Sequence, residues 1–251
     1  MTLGDIFKSG FFVSLMESSG QVFFYILGLV LCAVAGYFLG CLNFGIILSK
    51  KLYHDDVRSY GSGNAGATNM MRTYGKKASI LTFLGDGLKA VAAVYIGFLL
   101  DGTPGGFIAA LFCVIGHAFP CFYGFKGGKG VAATAFAVLV LSWPTFLVLI
   151  VLFIAIVAFT RYISLGSIMC MAMYPFLLDR MYRLTMGGEV IDPVSLMSAI
   201  LTAALVIFLH RENINRLWHG NENKFSFKKS KKADSSASGE ADDQGKEADK
   251  Q

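Results

Sequence analysis

Between Ser59 and Tyr74 the chain reads S-Y-G-S-G-N-A-G-A-T-N-M-M-R-T-Y, a polar stretch set between two long apolar runs. Gly61, Gly63 and Gly66 let the backbone turn sharply and bring N–H groups close to a ligand. Ser62, Asn64, Thr68 and Asn69 add neutral hydrogen-bonding groups, and Arg72 adds a planar forked donor matched to phosphate or carboxylate. Together they describe an anion cradle. A flexible Gly/Ser/Asn linker is the competing reading, but a linker has no use for the arginine. Gly61, Gly66 and Thr68 also match most of the G-x-x-x-x-G-K-[ST] phosphate loop. Ala67 stands where that loop needs its lysine, and no strand-then-helix unit surrounds it, so an NTPase is excluded.

Further polar clusters follow. Lys126-Gly127-Gly128-Lys129 pairs two cations with a bendable backbone ahead of an apolar run, where helix-start amides would attract phosphate. Taken alone, it is equally explained as the basic flank of a membrane span. In H-R-E-N-I-N, His210 and Asn213 are three apart on one helical face. The ordinary explanation of such a histidine is an interfacial residue, and His117, before Phe119-Pro120, is open to the same two readings. Asp86 and Lys89 share a helix face inside an apolar run, where structural pairing is preferred to a direct catalytic role. Arg72, Lys126, Lys129 and His210 together exceed what one phosphate needs. Two anionic groups, or one developing charge beside a phosphate, would use them. Neither a metal-spaced acidic pair nor an H-E-x-x-H is present, and no metal or other cofactor is expected.

Composition says what holds these clusters. Of 251 residues, 55% are hydrophobic, 14% aromatic and 16% charged, with mean hydropathy +0.57. Soluble domains run at roughly 45–50% apolar and about 25% charged. An all-α integral membrane protein follows. The net charge of +5 flanks membrane spans and does not indicate nucleic acid as a partner. Cys32, Cys41, Cys113, Cys121 and Cys170 lie in or beside apolar runs without a C-x-x-C pair and read as small core hydrophobes. No basic segment followed by a cleavable apolar one opens the chain, so no signal peptide is expected.

About seven transmembrane helices are expected: 22–48, 79–100, 107–122, two short ones meeting at Ser142-Trp143-Pro144 within 131–159, one ending near Leu178, and 194–209. Residues 1–20 are short and mixed, with Phe11, Phe12 and Leu15 suited to the interface, and 101–106 read as a tight turn. If Ser59–Tyr74 faces the cytoplasm, so do Lys126, Lys129, Arg161 and the segment from Arg211 onward. With the flanks of that loop counted as 50–78, these segments hold 18 of the 22 lysines and arginines, which agrees with the positive-inside rule. The N-terminus is then outside, the C-terminus cytoplasmic, and the polar motifs all on the cytoplasmic face. Residues 228–251 carry charges without apolar anchors and read as a disordered tail behind a membrane domain of residues 1–227.

On these motifs the chain resembles the bacterial acyl-phosphate:glycerol-3-phosphate acyltransferases. The resemblance is carried by G-S-G-N-A-G-A-T-N followed by Arg72, G-F-K-G-G-K-G-V-A, R-Y-I-S-L-G-S and H-R-E-N-I-N-R-L, and covers residues 22–225. Ala65 stands where that family commonly has proline, and the polar turn before the last span is long. The resemblance implies a multi-pass protein of the bacterial inner (cytoplasmic) membrane. It implies transfer of a fatty acyl group from acyl phosphate to the sn-1 hydroxyl of glycerol 3-phosphate, giving lysophosphatidic acid and inorganic phosphate. Its partners would be those two substrates and membrane lipid. By motif, Gly61, Ser62, Gly63, Asn64, Gly66, Thr68, Asn69 and Arg72 would form the cradle. Lys126 or Lys129 would bind phosphate, Gly127 and Gly128 would offer backbone donors, and Ser164 would line the site. His210 and Asn213 would hold glycerol 3-phosphate, and Ser62, Arg72, Lys129, His210 and Asn213 form the implied catalytic set. Which lysine contacts which phosphate stays open.

The chemistry is consistent with this without a metal or a covalent intermediate, because an acyl phosphate is already activated and positioning can supply the rate. The base for the hydroxyl is either His210 or the donor's own phosphate. The His-x-x-x-x-Asp motif of other glycerolipid acyltransferases is absent: Ser59, Phe122, Asn215 and Lys224 occupy the acid's place after the four histidines. A phosphometabolite transporter would use glycine-broken spans and buried charges too, but no internal repeat is visible. A CDP-alcohol phosphotransferase would need a D-x-x-D-G acid cluster that the chain lacks.

Overall fold

The structure, a computed structural model, describes residues 9–224, and the charged segment 228–251 lies outside them. The described residues form helices joined by short turns, with no strand among them. In chain order they are α1 (Phe11–Ser19), α2 (Val22–Cys41), α3 (Phe44–Tyr53), α4 (Ala67–Tyr74), α5 (Lys76–Ala118), α6 (Val131–Leu141), α7 (Trp143–Thr160), α8 (Ile163–Thr185), α9 (Pro193–Leu209) and α10 (Arg211–Trp218).

Side chains are distributed as lipid demands. Large apolar residues such as Phe23, Val151, Ile154 and Phe159 point outward, while Ala90, Ala93, Ala109, Ala133, Ala137 and Ala199 are buried between helices. Without water there is no hydrophobic drive between helices, so small residues that permit close backbone approach hold the bundle together. Gly36 and Gly40, one turn apart on α2, lie on the backbone of Ala109 and Cys113, and a β-carbon at either would collide with α5. Three described stretches are long and apolar enough to cross a membrane: Val22–Tyr53, Lys76–Tyr123 and Trp143–Thr160. Pro193–Leu209 with Arg211–Trp218, bent by 54°, makes a fourth if taken as one.

The 43 residues of α5 are not one rod. At Asp101 (φ −145°) and Gly102 (φ 61°) the chain leaves helical geometry and folds back, so that Gly97 faces Gly105 and Lys89 reaches His117. The turn is shorter than the expected 101–106. Helix resumes at once, with Pro104 in the first turn, where a missing N–H costs nothing. The break between α6 and α7 falls at Ser142, as expected from Pro144. The sixth expected span continues past Leu178 to Thr185.

The expected uninterrupted span 22–48 is instead broken at Leu42–Asn43. Asn43 caps α3 by accepting from the Ile46 amide (3.3 Å) and donates to the His117 carbonyl (3.3 Å). The break frees the carbonyls of Gly40 and Leu42, which accept from Lys89 Nζ at 3.0 and 2.8 Å. An apolar run conceals this, because one asparagine within it does not announce a partner 74 residues away.

Candidate active site

The glycine-rich loop is built around Asn69. Its Oδ1 accepts from the Ser62 amide (2.9 Å), and its Nδ2 donates to the carbonyls of Val57 (3.0 Å) and Tyr60 (2.9 Å). Both amide hydrogens are thereby used, so Asn69 shapes the cradle and has no free donor for a ligand. Gly61 (φ 59°) lies against the Asn69 side chain, where no β-carbon fits. The Gly63 amide donates to Tyr60 O (3.0 Å) and the Gly66 amide to Asn64 Oδ1 (3.0 Å). Ala65 is fully buried against Ile46, Val57 and Met70, under the loop rather than in it.

What the loop presents is the start of α4. Ser62, Asn64, Gly66 and Thr68 line a cavity of about 380 Å³, and Arg72 on the same short helix faces it. Arg72 makes no hydrogen bond or ion pair with any described residue. Burial pulls its guanidinium below the ordinary value, opposed by the Glu222 charge, yet an arginine stays cationic. An unpaired guanidinium facing the same cavity as a helix-start loop is an arrangement suited to an oxyanion.

The K-G-G-K loop docks on the end of α5. The Gly127 amide donates to Ala118 O and the Gly128 amide to His117 O, both at 3.0 Å, and Arg58 Nη1 holds the carbonyls of Tyr123 (2.8 Å) and Lys126 (2.7 Å). This corrects two sequence expectations. The Gly127 and Gly128 amides are spent on the fold and are not phosphate donors, and Lys126 is exposed outside the cavity while Lys129 enters it. Lys129 Nζ donates to Asn213 Oδ1. Its pKa is lowered to about 8, first by burial and next by the Arg216 charge, with Glu222 and Glu212 opposing.

The third wall is the bend between α9 and α10. His210 Nδ1 lies 2.7 Å from Val206 O. A carbonyl only accepts, so Nδ1 carries the proton and Nε2 keeps its lone pair for the cavity. Burial, before any other influence, lowers the His210 pKa to about 4. Asn213 Nδ2 (2.8 Å) and Ser164 Oγ (3.0 Å) both donate to Glu222 Oε1, and Arg216 Nε to Glu222 Oε2 (2.8 Å). Burial works against the Glu222 carboxylate, but these bonds hold it below its usual range. Arg216 and Glu222 also line the cavity, and neither is among the residues expected from the sequence. Arg216 lies one turn beyond Asn213 and was findable by periodicity, whereas Glu222 follows the last helix and carries no periodic signal.

Of the expected site residues, Ser62, Asn64, Gly66, Thr68, Asn69, Arg72, Lys129, Ser164, His210 and Asn213 meet on the cavity, and Gly61, Gly63, Lys126, Gly127 and Gly128 do not. With Arg72, Lys129 and Arg216 against Glu222, the cavity's charge favours a dianion. No group of three potential metal ligands forms among the described residues. A second, almost wholly apolar cavity of about 140 Å³ adjoins the first, sharing Phe83, Val131, Phe153 and Ser167 with it.

An all-helical membrane bundle with a cationic cavity opening onto an apolar one defines a class: an integral membrane protein handling an anionic polar compound together with an apolar one. Comparison with known proteins narrows it. The family model described as glycerol-3-phosphate acyltransferase matches residues 30–220, and the chain belongs to that family. The glycerol-3-phosphate acyltransferase of Finegoldia magna is 41% identical over 198 residues, 78% of this chain and 96% of that protein. That of Syntrophomonas wolfei is 43% identical over 201 residues, covering 80% and 96%. Crystal structures of PlsY (YgiH), an integral membrane glycerol 3-phosphate acyltransferase, match with TM-scores of 0.70 for the glycerol 3-phosphate form and 0.68 for the lysophosphatidic acid form. They are 36% and 34% identical, and each match covers 79% of this chain and 96% of that one.

Proposed function

We propose that the chain transfers a fatty acyl group from acyl phosphate to the sn-1 hydroxyl of glycerol 3-phosphate, without a metal, at the cytoplasmic face of a bacterial inner membrane. The observation that carries this reading is the junction of two cavities: Arg72, Lys129, His210 and Asn213 in the polar one, apolar side chains in the other. The polar part accommodates phosphate and glycerol, and the apolar part the start of an acyl chain. The seven apolar segments (α2, the two arms of α5, and α6 to α9) are read as seven spans. The 11 residues of α6 cover about 17 Å at ~1.5 Å per residue, so this span is completed by its flanking loops. Basic residues around the cavity support an inside location for it, with the N-terminus out.

The neutral His210, with a pKa near 4, is a poor proton acceptor at neutral pH. Its Nε2 lone pair orients the attacking hydroxyl, and the proton leaves with the released phosphate. Lys129 and Arg72 neutralise the phosphates, so that two anions approach each other. The test is phosphate release by the purified full chain given palmitoyl phosphate and glycerol 3-phosphate, with metals chelated. Release requiring both substrates supports the reading. A folded chain that releases none refutes it.

A further inference from the structure

Asp86, Lys89 and His117 bring three ionisable side chains together, at most 5% exposed, inside the bundle. Lys89 Nζ lies 2.8 Å from Asp86 Oδ1 and 2.9 Å from His117 Nδ1, besides the two carbonyls of the α2 break. Asp86 Oδ1 also accepts from the Phe44 amide (3.3 Å). Such groups are costly in a membrane, and a buried ion pair is weak evidence for stability. The cluster is therefore expected to do something besides pack, and Asp86 and His117 both line the polar cavity.

Proton accounting shows what it presents. An ammonium only donates, so an N–H on Nδ1 would point a hydrogen at the hydrogens of Lys89. Asp86 Oδ1, at 3.4 Å, is farther from Nδ1 than Lys89 Nζ is. Nδ1 therefore accepts from Lys89, and the ring proton sits on Nε2. This is the opposite tautomer to His210. Nε2 has no hydrogen-bond partner among the described residues. Gly128 packs against it, and a β-carbon there would strike it. Phe83, which lines both cavities, is one helical turn from Asp86 on the same face. The acyl carbonyl, the atom group between phosphate and chain, belongs at that junction.

We propose that His117 is a catalytic hydrogen-bond donor whose Nε2–H stabilises the negative charge developing on the acyl carbonyl oxygen, and that Lys89 is a positioning residue that fixes its tautomer. The inference rests on the acyl-transfer reading above. In the step, the glycerol hydroxyl oxygen bonds to the acyl carbon and the carbonyl π pair moves to oxygen, where Nε2–H meets it. The pair then returns, the bond between the acyl carbon and the phosphate oxygen breaks, and the hydroxyl proton departs on inorganic phosphate. Lys89 and Asp86 cancel in charge, so the donor is neutral and preorganised, needing no proton of its own to move.

The test compares His117→Phe, His117→Gln and Lys89→Met with the natural chain in phosphate release, in glycerol 3-phosphate binding by calorimetry, and in thermal unfolding. Losing one such donor lowers kcat by ~10²–10³. His117→Phe is expected to do so while glycerol 3-phosphate affinity stays within about threefold. His117→Gln, which keeps an N–H, should recover part of the loss. A packing role alone would instead reduce folded protein and affinity together, without rescue by glutamine. Nitrogen-15 spectroscopy of the natural chain should show Nε2 protonated and Nδ1 bare, with Lys89→Met mixing the tautomers. This decides the matter even where a variant fails to fold. An active natural chain with unchanged kcat in His117→Phe, or with Nδ1 protonated, overturns this inference alone. An inactive but folded natural chain overturns the acyl-phosphate reading first.

Discussion

Arg72 offers a test that separates the site from the fold. Its guanidinium faces the cavity with no partner among the described residues, so Arg72→Ala leaves nothing in the protein unpaired. Surface changes of this kind shift stability by about ±0.5 kcal/mol, and alanine is a good helix residue for α4. The thermal midpoint should therefore move by less than about 2 °C. Function should respond very differently. A guanidinium clamping phosphate through two charge-assisted bonds, at about 1.5–3 kcal/mol each, contributes about 3–6 kcal/mol. At about 1.4 kcal/mol per decade, kcat/KM falls by roughly 10²–10⁴. Arg72→Lys keeps the charge but loses the fork, and should fall between the two. Phosphate release at varied concentrations of each substrate, beside thermal unfolding in the same detergent, measures both. Activity retained within a few-fold refutes the cradle. So does a loss that merely parallels unfolding.

Two further outcomes are expected. Glu222→Gln replaces one accepting oxygen by a donor facing Arg216 or Asn213, at a side chain only 5% exposed. Losing about 2 kcal/mol of hydrogen bonding should raise KM for glycerol 3-phosphate by roughly 30-fold, and a KM within threefold of the natural value contradicts that placement. The Lys129 ammonium is present below its pKa of about 8, so kcat/KM should fall as pH rises through that value, and Lys129→Met should abolish this limb. Bound dianion favours the ammonium, which moves the limb in kcat to higher pH. Stability runs the other way. Between about 8 and the ordinary 10.5 the unfolded chain binds more protons at this residue, so the substrate-free protein gains stability from Lys129 as pH rises, which denaturant unfolding across that range checks.

The sequence made the polar wall legible because residue type alone declares it: a loop rich in Gly, Ser and Asn with one arginine, and a histidine three residues before an asparagine, need no tertiary knowledge. It could not separate Lys126 from Lys129. Which lysine turns inward depends on the Gly127 and Gly128 amides finding the carbonyls at the end of α5, a contact between remote segments. The partners of Asn69 are hidden from the sequence for a related reason. A side-chain amide serves ligand and backbone equally well, and only the loop's closure shows that Val57 and Tyr60 have claimed it. The pairing of Asp86 with Lys89 was visible from their spacing, but His117 joined them only through the reversal at Asp101–Gly102.

The small size of the apolar cavity bears on which chains the enzyme can tell apart. At about 140 Å³ it matches the engineered cavities of about 150 Å³ that hold one benzene, and so takes roughly six carbons. On the acyl-transfer reading proposed above, the remainder of a long acyl tail would lie along the outer helix surface, dissolved in the bilayer, where an added methylene would see much the same hydrocarbon before and after binding. Discrimination should be sharp for short donors and flat for long ones. The composition of the membrane's acyl chains would then be decided by whatever synthesises the donor, with this protein passing the supply on unsorted.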